Sequence, residues 1–236
     1  TGEGSEMLAL GFGLTAALLW AVHDLLARKL SQGAALLPIV ATVLWSGCLV
    51  LLPLALAMGE WTAMTAQAWL GAAASGVAFA VAIGSLYKAF SLAPVRLVSP
   101  VIGAYPLLTL IFAVVQGRSV GLVDWLAVLL IVIGIGIVAL ASRGDGPEHY
   151  AAPPAVALGW AALSALGFAL TFTLGQLAAR AGSDLPVILV TRLVALGAIA
   201  ALAIRARARL APARSQLGIL ALMGLLDAAA LGLVTA

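Results

Sequence analysis

Charge is scarce in this chain. Only 9% of its 236 residues are Asp, Glu, Lys or Arg, against 64% hydrophobic. Soluble domains carry about 25% charged residues, so a water-facing surface of ordinary composition is excluded. Cysteine is scarcer still. Cys48 stands alone inside an apolar run, which rules out an intramolecular disulfide and suits a small packing residue. Asp-rich metal motifs of the kind an intramembrane prenyltransferase needs are missing. So are a Gly-x-Ser-x-Gly elbow and a serine placed to partner His23, so a membrane protease has no visible nucleophile. A nucleotide-binding loop is absent too. An enzyme is therefore the weakest of the readings, and no cofactor or metal is expected. The net charge of +3 and an isoelectric point near 9.5 do not point to nucleic acid, because the basic residues sit in short loops between apolar runs.

What the chain has in quantity is long apolar sequence, with a mean hydropathy of +1.18. A membrane-spanning helix needs ~20 mostly apolar residues. Eight segments approach or exceed that length: 7–27, 35–58, 67–88, 95–116, 122–142, 155–178, 186–204 and 216–236. The runs are continuous, without the alternation of a barrel strand, and only helices or closed barrels satisfy every backbone group in lipid. The fold class is an all-α membrane protein. The first run is longer than a signal-peptide core, and no small-residue cleavage site follows it.

The last three segments repeat the first three at a spacing of 148 residues. Leu37-Pro38 returns as Leu185-Pro186, Gly11 as Gly159, Gly76 as Gly224 and Gly84 as Gly232. Trp20 returns as Phe168, which keeps an aromatic ring at one point of the first span in each half. Duplicated halves with an odd number of spans insert in opposite directions, giving an inverted-repeat bundle of transmembrane helices that can rock about one central site. The expected organisation is a first five-helix repeat over 7–142, a linker over 143–154 and a second repeat over 155–236 that stops after its third helix. Eight helices of a 5+5 arrangement are present on this reading, and two further helices are expected beyond Ala236.

Lys and Arg fall unevenly about the spans. Arg28, Lys29, Lys88, Arg96, Arg143, Arg205, Arg207, Arg209 and Arg214 follow spans 1, 3, 5 and 7; only Arg118 and Arg180 follow spans 2, 4 and 6. By the positive-inside rule the first group is cytoplasmic and the N-terminus faces outward. Trp61, Trp69, Trp125 and Trp160 lie near span edges, where indoles anchor at the interface. His149, in the linker, reads as an exposed loop histidine.

These residues resemble a known family. The Trp20-bearing first span, Leu86-Tyr87-Lys88-Ala89, Tyr105-Pro106, Leu130-Ile131-Val132-Ile133-Gly134 and Thr191-Arg192-Leu193 resemble, in order and spacing, the EamA-domain members of the drug/metabolite transporter superfamily. The resemblance covers the first repeat whole and the second through its third helix. Two departures stand out: Arg118 follows Gly117 where the family often has Gly-Glu, and Leu44-Trp45 occupies a place where an arginine is expected. Many relatives are described with a cytoplasmic N-terminus, opposite to the charge count. The resemblance implies a secondary transporter, expected to export small polar metabolites such as amino acids or amines by alternating access. It would be a multi-pass protein of the cell membrane with a small solute and the bilayer as partners. Proton coupling and a homodimer are compatible with it. A channel or non-transporting scaffold is the alternative.

Ionisable and aromatic residues inside spans mark the candidate site. Asp227 lies near the middle of the last span with a side chain too short to reach water, and it is the leading candidate for coupling or for a solute amine. His23 can exchange a proton near neutral pH. Trp20, Tyr87 and Tyr105 offer aromatic walls suited to amines, and Gln176 offers a neutral polar contact. Asp24 and Arg28, four residues apart, suggest a pair on one helix face. Arg192 can reach headgroups or a carboxylate, and Lys88 can snorkel. Gly71, Gly76, Gly84, Gly134 and Gly136 read as close-packing positions. Pro100 and Pro106 predict a break in the fourth span, facing an aqueous cavity or forming a plain kink.

Overall fold

The structure is a computed structural model that describes residues 2–32, 35–141, 151–212 and 214–235. Most of the linker, His149 included, lies outside the described residues. Helices occupy nearly all the rest: α1 (Gly2–Ser31), α2 (Leu36–Met58), α3 (Ala66–Leu92), α4 (Val95–Ile102), α5 (Tyr105–Val115), α6 (Leu122–Ala141), α7 (Pro154–Arg180), α8 (Asp184–Arg205) and α9 (Leu217–Thr235). Among the described residues, seven segments are long and apolar enough to cross a membrane, counting α4 and α5 as one segment, Val95–Val115. The fifth expected span appears as α6, whose described apolar stretch, Leu122–Ile137, is shorter.

Local chemistry sets several ends. The Thr65 hydroxyl accepts from the Ala68 amide at 3.2 Å and donates to the Ala181 carbonyl at 2.7 Å, capping α3 and tying it to the end of α7. Asp124 reaches back to the Gly121 amide at 2.9 Å at the start of α6. The fourth span breaks between Ile102 and Tyr105. Neither Pro100 nor Pro106 has an N–H for the helical ladder, and Pro106 falls in the first turn of α5, where that donor has no helical partner anyway.

Packing follows the repeat. α3 runs along α7 and α1 along α9; α3 also meets α8, α2 meets α9, and α2 crosses α8. Replacing α1, α2 and α3 by α7, α8 and α9, and the reverse, maps this set of contacts onto itself. Atoms obey the same exchange. A Cβ on Gly76 would lie 2.6 Å from the Thr191 carbonyl oxygen and 2.6 Å from Val194. A Cβ on Gly224 would lie 2.6 Å from the Val43 carbonyl oxygen and would overlap the Ser46 hydroxyl. Gly76 and Gly224, Val43 and Thr191, Ser46 and Val194 are each 148 residues apart. The Thr191 hydroxyl donates to the Ala72 carbonyl at 3.2 Å, and the Ser46 hydroxyl to the carbonyl of Leu220, the residue 148 beyond Ala72, at 3.3 Å.

Lipid chains are as apolar as leucine, so these helices associate through close backbone approach and interhelical hydrogen bonds. The α3–α7 seam has both. Gly71 meets Ala178 and Gly167 meets Ala82. Ser75 donates to the Thr171 carbonyl and Ser164 to the Ala82 carbonyl, each at 2.9 Å. The packing expectation therefore holds for Gly71 and Gly76. It fails for Gly84, Gly134 and Gly136, which have nothing within 4 Å of an added Cβ. Those three lie on helix faces turned away from the seams.

Candidate functional site

A cavity of about 440 Å³ opens between the two halves. Its lining is paired by the repeat: Trp20 with Phe168, His23 with Thr171, Asp24 with Phe172, Phe79 with Asp227, Ile83 with Leu231. The broken fourth span contributes Ser99, Ile102, Gly103 and Tyr105, so the proline break faces the cavity. A second cavity of about 480 Å³ shares Trp20, Tyr105, Phe172 and Gln176 with the first and reaches the loop carrying Arg118 and Ser119.

An ion pair lies at the centre. Arg192, on α8, is 2% exposed, and its Nη1 lies 2.7 Å from Oδ2 of Asp227 on α9. The contact is short but not aligned as a hydrogen bond, which leaves Arg192 Nε and Nη1 and Asp227 Oδ2 without a directed partner. Charge holds this pair more than orientation does. The other oxygen of Asp227 accepts from the Trp20 indole at 3.0 Å. The guanidinium also lies over the Phe79 ring, its Cζ 5.6 Å from the centroid, close enough for a cation–π contact. Since Phe79 and Asp227 are repeat counterparts, Arg192 contacts two equivalent positions, one of which carries a charge. Room for it comes from Gly47, where a Cβ would stand 2.8 Å from Nη1.

Aromatic rings continue the wall. Phe79 lies 6.3 Å from Phe168, Phe168 lies 6.0 Å from Tyr105, and Tyr105 stacks on Phe172 at 5.3 Å with 23° between planes.

The third cluster is on α1. His23 is buried, and its Nδ1 lies 3.1 Å from Asp24 Oδ1. Its Nε2 lies 3.4 Å from the hydroxyl of Tyr87, itself fully buried. The Asp24 side chain keeps 37% of its surface exposed. The expected Asp24–Arg28 pair does not form. Arg28 instead donates to the carbonyl of Phe90 on α3, and Asp24 turns to the imidazole.

Five of the six residues expected at the site therefore line one cavity: Trp20, His23, Tyr105, Gln176 and Asp227. Tyr87 stands behind the wall as the partner of His23. Phe79, Thr171 and Phe172 were not expected there. They could have been found by adding or subtracting 148 from Asp227, His23 and Asp24.

With this geometry in place, the comparison with known families is decisive: residues 7–140, more than half of the chain, match the EamA-like transporter family. The chain belongs to that family. No curated protein matches it. As an EamA-like protein it is a membrane transporter of the drug/metabolite type. The match covers the helices that bring Trp20, His23, Asp24, Phe79 and Tyr105 to the cavity of this EamA-like transporter, whereas Arg192 and Asp227 lie beyond it.

Proposed function

We propose that this protein is a secondary transporter that exports small polar metabolites, amino acids or amines among them, by alternating access in the cell membrane. The observation carrying this reading is a central cavity built from repeat-related residues, with a buried Arg192–Asp227 pair in its wall. An ionic pair in lipid costs several kcal/mol of desolvation, so it belongs where a solute or ion is to be handled. The duplication supports two related five-helix repeats whose rocking would expose the cavity alternately. The first cavity is lined from the buried Phe90, near the basic end of α3, to the exposed Gln176 and Asp184 towards the opposite end, where the second cavity reaches Arg118 and Ser119. With an outward N-terminus, that is an outward-facing state.

Proteoliposomes loaded with one solute and challenged with labelled solute outside test the proposal. A carrier gives counterflow, with transient accumulation of label above its equilibrium level. Simple equilibration without counterflow would favour a channel, and no flux across a panel of amino acids, amines and organic acids would favour a scaffold.

A further inference from the structure

Three carboxylates line the main cavity, Asp24, Asp184 and Asp227, against one guanidinium, Arg192. Asp184 is exposed at the mouth, at the start of α8. Deeper in, Arg192 and Asp227 neutralise each other at 2.7 Å. That leaves Asp24 as the unbalanced charge. Its partner is the imidazole of His23, and the cation expected to neutralise it, Arg28, has turned to the Phe90 carbonyl.

We propose that Asp24 and His23 form a cation-exchange site, at which a proton on His23 and a monovalent organic cation in the cavity exclude one another. This rests on the transporter reading and narrows its solute to amines and quaternary ammonium compounds. Neutral His23 satisfies both its nitrogens, donating from Nδ1 to Asp24 and accepting from the Tyr87 hydroxyl at Nε2, and the local charge is then negative. A solute ammonium beside Asp24 balances that charge, and the rings of Tyr105, Phe168 and Phe172 give its carbon skeleton a quadrupole face. When His23 is protonated, the imidazolium neutralises Asp24 and a second cation would be held uncompensated in a low-dielectric cavity. One proton therefore leaves to the water on the exposed side for each monovalent cation that binds. The groups facing His23 are Asp24 on its own helix, Tyr87 on α3, and the Arg192–Asp227 pair from α8 and α9. The two charges of that pair act on the imidazole with opposite signs. A zwitterion brings its own anion and gains less from the site than an amine does.

The probe is benzyltrimethylammonium, which has no proton of its own and cannot leak as a free base. Binding of the labelled probe to the purified full chain in detergent should tighten by about tenfold per pH unit below the imidazole titration and level off above it. Binding in weak buffer near pH 6 should release protons, approaching one per probe bound. His23→Gln keeps an amide that can meet Asp24 and Tyr87, and should make the probe's affinity independent of pH. Asp24→Asn should weaken it at least tenfold at pH 8. Probe binding that releases no proton, or a His23→Gln protein with the wild-type pH profile, overturns the proposal. Carriage of phenylalanine but not of the probe in proteoliposomes would also overturn it while the transporter reading stands. No carriage of either, nor of phenylpropionate, would sink both.

Discussion

Arg192 and Asp227 are the residues on which stability and transport meet. The pair is buried, and Trp20 takes the carboxylate oxygen that Arg192 leaves. Asp227→Asn would leave a buried guanidinium facing a neutral amide, a loss of about 3–5 kcal/mol for a broken buried pair. The expected result is a folded protein with a clearly lower melting temperature in detergent. Adding Arg192→Gln should recover more than half of the loss, since the second substitution removes the stranded charge. A single Asn variant that melts with the wild type would show that the pair carries no stability. Gly76 and Gly224 make a second residue-scale case. At each, a Cβ would press on a backbone carbonyl that cannot swing away. Gly76→Ala and Gly224→Ala should each cost about 1–3 kcal/mol. Gly84→Ala, on a face with nothing within 4 Å, should leave the melting temperature unchanged.

At the scale of elements, the break between α4 and α5 has the largest consequence. A continuous helix would carry Tyr105 round its own axis, whereas the two-proline break leaves it at the head of α5, stacked on Phe172 and bordering both cavities. Tyr105→Ala removes that stack and joins the two spaces. Aromatic pairs contribute about 0.5–1.5 kcal/mol beyond burial. Affinity for an aromatic solute should therefore fall by about 3- to 10-fold, with Tyr105→Phe losing less. Direct binding in detergent measures both, and an Ala variant that binds as tightly as the wild type would remove Tyr105 from the site. α1 makes the matching point on the other wall. It turns Leu10, Leu14 and Leu18 outward, while His23 and Asp24 come to the cavity nearer its C-terminal end.

At the scale of the whole molecule, the bundle is organised about the exchange of α1–α3 with α7–α9, and its charge is organised across the membrane. The second property predicts orientation. With Cys48 replaced by Ala, an impermeant thiol reagent on intact cells should label a cysteine at Thr62 and leave one at Arg209 unlabelled until the membrane is opened. Labelling at 209 alone would reverse the assignment, and the cavity would then face the cytoplasm. Both substituted positions are exposed and lie between α-helices, Thr62 in a 3-10 turn.

Composition and run length alone determined that this is a helical membrane protein, because lipid tolerates no unsatisfied backbone and these runs do not alternate. The spacing of 148 residues was also legible, and with it the repeat partners that line the cavity. The fourth-span break could be read from Pro100 and Pro106, since a missing N–H is a property of the residue itself. Partner choice was not legible. Asp24 and Arg28 are well spaced for a pair, yet Asp24 meets His23 and Arg28 meets Phe90, because α3 brings a carbonyl within reach of the guanidinium. Tyr87 sits one residue from Lys88 in sequence and gives no sign that it faces α1. Arg192 and Asp227 are 35 residues apart and on different helices. Only the packing of α2 against both α8 and α9, close at Gly47 and Gly224, brings those two charges together, because in lipid the geometry of close approach decides which polar groups can meet.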